Sequence, residues 1–239
     1  MNSFPYCFFP TTVLEIDFTN GVYKVGRYLK DQSLTLVKEF SNQNEALIYL
    51  NQVNLRPLFF HRLIAQGLTP LDISSVNFLY EEIYNLNRHK TISCIICRSE
   101  ELDGRVTGFL KEIEELRLKK ILLTERKNEA QAIQSFNSGL IDFYVCQQDF
   151  KAFELLNHHI EQSQQTYFQE IIGDQISTLL IEGKTSNDYQ ALWDPTFITY
   201  VQKLIQQESI QEYYLLDLNG SFLFLNEQSR LSVLFVFNN

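Results

Sequence analysis

Cysteine, proline, glycine, methionine and tryptophan are all scarce in this chain of 239 residues, at four, five, nine, one and one. Four cysteines are too few for a disulfide scaffold at this length, and Cys7, Cys94, Cys97 and Cys146 each stand among apolar neighbours, as buried thiols do. So little glycine and proline excludes collagen-like and low-complexity classes. No window nears the run of roughly 18 apolar residues that a membrane helix needs. The first nine residues carry no basic n-region and no small-residue cleavage site, so no secretory signal is read and the cytoplasm is the expected compartment. Positive charge is also short: 20 Lys and Arg against 29 Asp and Glu leave a formal net charge of −9, a field that repels phosphate backbones and anionic lipid. Neither nucleic acid nor membrane is expected as a direct partner. Arg117, Lys119 and Lys120, the one basic cluster, follow Glu112, Glu114 and Glu115 and read as a solvated helix end.

What is abundant is core material, with 45% hydrophobic and 13% aromatic residues. Short β-branched runs at Thr12–Phe18, Thr91–Cys97, Lys120–Thr124 and Leu140–Cys146 read as buried strands, with Leu34–Phe40 as a further one. Between them lie helical patterns. Asn44–Val53 follows the expected cap Ser41, Val106–Leu116 presents Phe109, Leu110 and Ile113, and Glu129–Asn137 presents Ala130, Ile133 and Phe136 before Gly139 stops it. This alternation predicts an α/β fold, a doubly wound parallel sheet of five strands, with its chemistry at the carboxyl ends of the strands.

Residues 150–182 read as one long helix, or two nearly continuous ones, with Phe153, Leu156, Ile160, Tyr167, Ile171, Ile176 and Leu179 on its stripe. Such a helix either docks on its own domain or pairs with that of a second copy as a homodimer. Gly183–Asp188 reads as a linker. Beyond it, a helix over Thr196–Gln207, capped by Asp194 and opened by Pro195, precedes strands at Glu212–Asp217, Ser221–Asn226 and Leu231–Phe237, a small α+β module. The predicted division is 1–150, a connecting helix at 151–183, and 184–239.

Several pieces together carry a resemblance: VLEID at Val13–Asp17, FLKEI at Phe109–Ile113, ILLT at Ile121–Thr124 and AIQSFNSGLID at Ala132–Asp142. Over most of the first 150 residues the chain resembles the receiver domains of two-component response regulators, which implies the flavodoxin-like fold with strand order 2-1-3-4-5. A receiver places two adjacent acids after its first strand, a phospho-accepting Asp after the third, a Thr after the fourth, and an aromatic residue and a Lys on the fifth. By that resemblance Asp17 is the first acid, Phe18 stands where the second belongs, and Arg98, or Cys97 if the register slips by one, takes the acceptor's place. Thr124 matches the switch Thr and Phe143 the aromatic position, and Cys146 replaces the Lys. Neither Arg nor Cys here can carry an acyl phosphate. A guanidinium beside Asp17 supplies permanently the charge that Mg²⁺ supplies in a working site, so an Asp17–Arg98 ion pair is expected in place of the metal. Asn54–Lys90 is longer than the family's usual connection and reads as a helical insertion.

Other motifs carry less. Cys94 and Cys97 are spaced as CxxC, but strand alternation sends them to opposite faces, so no zinc site is read. His158 and His159 read as a solvated helix face, with a phosphotransfer histidine as the alternative; GKT at Gly183–Thr185 lacks the strand that precedes a phosphate loop. Tyr213–Asn226 is similar to the hairpin that opens PAS sensory domains. No acid, base and nucleophile converge at the strand ends, so no enzyme activity and no cofactor are expected. The reading is a degenerate receiver, independent of phosphorylation, that works by binding a protein partner of a signalling system. Its alternatives are a switch sensing a small ligand or thiol oxidation, and a working phosphoacceptor with an unusual site.

Overall fold

The computed structural model describes residues 4–19, 25, 29, 36–54, 81, 83–182, 191–192, 194–217 and 219–237, and of 54, 86 and 172–182 the backbone alone. Most of the insertion expected at 54–90, the linker Gly183–Asp188, and the side chains of Ile176 and Leu179 lie outside the described residues. The chain divides into two compact units: Thr11–Arg56 with His89–Tyr167, and Met1–Pro10 with Pro57–Arg88 and Phe168–Asn239. The chain's first ten residues belong with its last strands, because a short strand β1 (Cys7–Phe8) pairs antiparallel with β7 (Ile210–Leu215) at Cys7↔Tyr214 and Phe8↔Tyr213.

The first unit holds β2 (Thr12–Asp17), β3 (Leu36–Phe40), β4 (Ile92–Ser99), β5 (Lys119–Thr124) and β6 (Phe143–Cys146), in the order β3-β2-β4-β5-β6 with every neighbour parallel. Counted among the sheet's own strands this is 2-1-3-4-5, the predicted doubly wound order. Its central strands are buried on both faces, as parallel strands are. Val13, Cys94, Ile96, Ile121, Leu123 and Val145 share one cluster with Ala152, Leu156 and Ile160 of the long helix. That helix, α4 (Ala152–Glu182), is numbered after α1 (Gln43–Asn54), α2 (Gly104–Glu112) and α3 (Glu129–Asn137). Burying each Leu or Ile of the cluster contributes about 1.5–3 kcal/mol, so Ala152, Leu156 and Ile160 at the start of α4 are committed to its own sheet.

Three helix details differ from the sequence reading, each for a local reason. Asn42 caps α1 rather than Ser41, since its side chain accepts from Asn44 N at 2.8 Å. Asp103 accepts from the N–H groups of Arg105 and Val106 and so starts α2 at Gly104, two residues early. On α3 the inward residues are Ala132 and Ser135, whereas Ile133 and Phe136 are 61% and 59% exposed. The face is drawn round by Gln131, whose side chain donates to the Leu102 carbonyl at 2.6 Å.

The second unit is an antiparallel sheet in the order β1-β7-β8-β9, with β8 at Phe222–Asn226 and β9 at Leu231–Leu234, together with α5 (Pro195–Gln207). Asp194 caps α5 through the N–H of Thr196, and Pro195 occupies its first turn. Gly220, at φ 101°, makes the β7–β8 turn; a Cβ there would lie 3.1 Å from the Phe197 ring. Phe4, Tyr213 and Phe222 pack ring on ring. Glu212 is buried against Arg88 at 3.0 Å and accepts from the Tyr214 hydroxyl at 2.6 Å. Among the described residues no helix is long and apolar enough to cross a membrane.

Candidate functional site

Parallel strands end on one side of a sheet, and their register decides which end residues meet. Here it sets Asp17 beside Arg98, Ser99 beside Thr124, and Thr124 beside Cys146. The Arg98 side chain is only 3% exposed, and its fork reaches two carboxylates: Nη1 lies 3.2 Å from Asp17 Oδ2 and Nη2 3.0 Å from Glu125 Oε1. A guanidinium so deeply buried needs such partners, because an unpaired charge there would cost several kcal/mol. The other oxygen of Asp17, Oδ1, accepts from the Thr19 N–H at 2.8 Å and the Thr19 hydroxyl at 2.6 Å. Asp17 therefore pairs with Arg98 and also ties down the chain that leaves β2.

Glu125 closes the end of β5 with Thr124, one of the strand-end positions that the sequence marks, but no motif there gives it the role of second partner to Arg98. Its backbone is placed by β4, through its N–H to the Ser99 carbonyl at 3.1 Å. The following residue repeats the contact, Arg126 N to the Glu100 carbonyl at 3.1 Å.

The expected aromatic position needs correction. Phe143 faces away from the strand-end cluster, toward α4, where its ring stacks on His159 with centroids 4.3 Å apart. Tyr144 is the residue beside Thr124: its hydroxyl oxygen accepts from the Thr124 hydroxyl at 3.0 Å and from the Asn128 N–H at 3.2 Å. This ties the β5–α3 connection to β6. His159, half-buried under Phe143, has its pKa lowered by burial and then by His158, while His158 itself is exposed.

Phe18 is buried, its ring 6.0 Å from that of Phe109, so a core aromatic fills the place where the resemblance expects a second acid. Cys97 points to the face opposite Arg98 by strand alternation and is fully buried, and that burial holds its thiol far above the ordinary range. The Cys94 thiol is pushed up to about 12 for the same reason. Cys146 is buried with Sγ 3.9 Å from the Glu125 carbonyl, to which it donates. Thiols so deeply buried are poor redox groups, because neither water nor an oxidant reaches them.

These residues do not make a Mg²⁺ site. Both oxygens of Asp17 are engaged, Phe18 offers none, and the guanidinium already sits between the carboxylates a dication would need. Among the described residues no three His, Cys, Asp or Glu side chains gather as a metal cluster.

No protein-family model and no curated protein matches the chain. Among solved structures, the response regulator LqsR of Legionella pneumophila matches with a TM-score of 0.67 and 26% identity, over 97% of this chain and 67% of that one. The signal receiver domain of an HD domain-containing protein from Pseudomonas fluorescens Pf-5 matches with a TM-score of 0.43 and 14% identity, over 67% of this chain and 91% of that one. A CheY-like receiver domain from Methanospirillum hungatei JF-1 matches with a TM-score of 0.41 and 15% identity, over 67% and 98%. The match to LqsR shows the fold of a response regulator, and the five-stranded unit is a doubly wound parallel sheet of the flavodoxin-like kind.

Proposed function

We propose that the chain is a receiver-like signalling protein whose output does not depend on phosphorylation and which acts by binding a protein partner. One observation carries the reading: the Arg98 guanidinium bridges Asp17 and Glu125 at the strand ends. An acyl phosphate requires a carboxylate that is free to attack and a metal to offset its charge. Asp17 is held by Arg98 and Thr19, and Arg98 cannot accept a phosphoryl group. The fixed cation supplies permanently the positive charge that Mg²⁺ supplies in a working receiver. The conformation is then set by the chain and its partner. That LqsR is a response regulator supports the signalling class, and the net charge of −9 favours a protein partner over nucleic acid.

The test is incubation with Mg²⁺ and acetyl phosphate, then with beryllofluoride, read by intact mass and thermal shift. No adduct and no stabilisation are expected. A Mg²⁺-dependent phosphoryl adduct on any residue would overturn the reading.

A further inference from the structure

Strand β9 is the edge of the antiparallel sheet, and among the described residues its only hydrogen-bonded neighbour is β8. Edge strands are ordinarily protected by charge, proline, a bulge or shortness. At the opposite edge of this sheet β1 is two residues long, and β3, an edge of the parallel sheet, carries Lys38 and Glu39. β9 is four residues long, but with its continuation it has no other such device: Leu231 to Phe237 reads LSVLFVF, without a charge, a proline or a glycine. Leu231, Phe235 and Phe237 are 44%, 54% and 82% exposed.

The register tells which backbone groups are open. Asn226 N donates to the Arg230 carbonyl, so the pairs 226↔230, 224↔232 and 222↔234 are the hydrogen-bonded ones. Leu231 and Val233 then turn their N–H and C=O groups away from β8, and Phe235 continues that phase. Side chains at 231, 233, 235 and 237 share one face by alternation, and the Phe235 and Phe237 rings stack at 6.2 Å.

We propose that this edge is a docking surface for the same edge of a second copy, paired antiparallel about a two-fold axis at Val233. The segment is complementary to itself in that arrangement. Val233 meets Val233, Leu231 meets Phe235, the open backbone groups of one copy face those of the other, and the apolar faces align. Each chain carries a net charge of −9, yet no charged side chain meets another along this edge. An unlike partner would have to supply that apolar alternation itself; a second copy already has it. The two four-stranded sheets become one of eight strands, and Leu231 of each copy lies beside Phe235 of the other.

The experiment is sedimentation velocity on the full chain across a concentration series, with Val233→Lys alongside. Wild type is expected to reach twice the monomer mass, and Val233→Lys, which sets two ammonium groups against each other at the axis, to stay at half of that. Hydrogen exchange of the wild type needs no variant: the amides of 231, 233 and 235 gain protection with concentration while those of α5 do not. A wild type that stays monomeric throughout, a dimer that survives Val233→Lys with the edge amides unprotected, or protection of this segment only by a foreign protein would each overturn the proposal.

Discussion

Replacing Arg98 by Met keeps much of its apolar stem in place and removes the charge, which isolates what the guanidinium does. Asp17, with its side chain 19% exposed, would lose its cation, whereas Glu125, at 40%, can turn to water. Removing one partner of a buried pair costs about 3–5 kcal/mol, and the more exposed Glu125 arm adds no more than about 1 kcal/mol. Asp17 keeps both hydrogen bonds from Thr19, so the lower end applies, about 3 kcal/mol. For a chain of this size that is a fall of roughly 6–12 °C in the melting temperature of the parallel-sheet unit. The decisive assay is a double-mutant cycle with Asp17→Asn, measured by urea unfolding. If the pair is coupled, Asp17→Asn costs less in the Arg98→Met background than in wild type, by about 1–3 kcal/mol. Costs that add to within about 0.5 kcal/mol would refute the claim that Arg98 is held there by Asp17.

Tyr144→Phe removes the oxygen on which Thr124 and the Asn128 N–H converge. The expected loss is about 1 kcal/mol, with faster exchange of the Asn128 amide, and an unchanged exchange rate would show that the hydroxyl clamps nothing. Alkaline pH should destabilise the fold in a defined window. Burial raises the thiols of Cys7, Cys94 and Cys97 and the phenols of Tyr213 and Tyr214, so the native state keeps protons that the unfolded chain loses from about pH 8.5 for thiols and 10 for phenols. With more protons bound in the native state, stability is full below that range and falls as pH rises through it. Urea midpoints from pH 7 to alkaline pH measure this, and a flat profile would contradict it. The same burial predicts that a thiol reagent titrates these cysteines only after unfolding.

The strands were legible because each is a short apolar run, and the meeting of Asp17 with Arg98 was legible because both close such runs. Side-chain parity at a strand end was not legible. Phe143 and Tyr144 are adjacent aromatics, and a slip of one residue exchanges the sheet face that each occupies. Only the packing of α4, which takes Phe143 onto His159, leaves Tyr144 for Thr124. The face of α3 was hidden for a related reason: Ile133 and Phe136 make the better apolar stripe, but Gln131 bonded to Leu102, with Ser135 beneath it, turns the helix the other way. β1 could not be read at all, since two residues hold no period and their partner β7 lies near the far end of the chain. Glu125 was legible as a strand-end position but not in its role, which comes only from Arg98, a strand away, whose burial demands a second carboxylate within reach. A buried arginine at a strand end is therefore a signal to search the neighbouring strand ends for two acids.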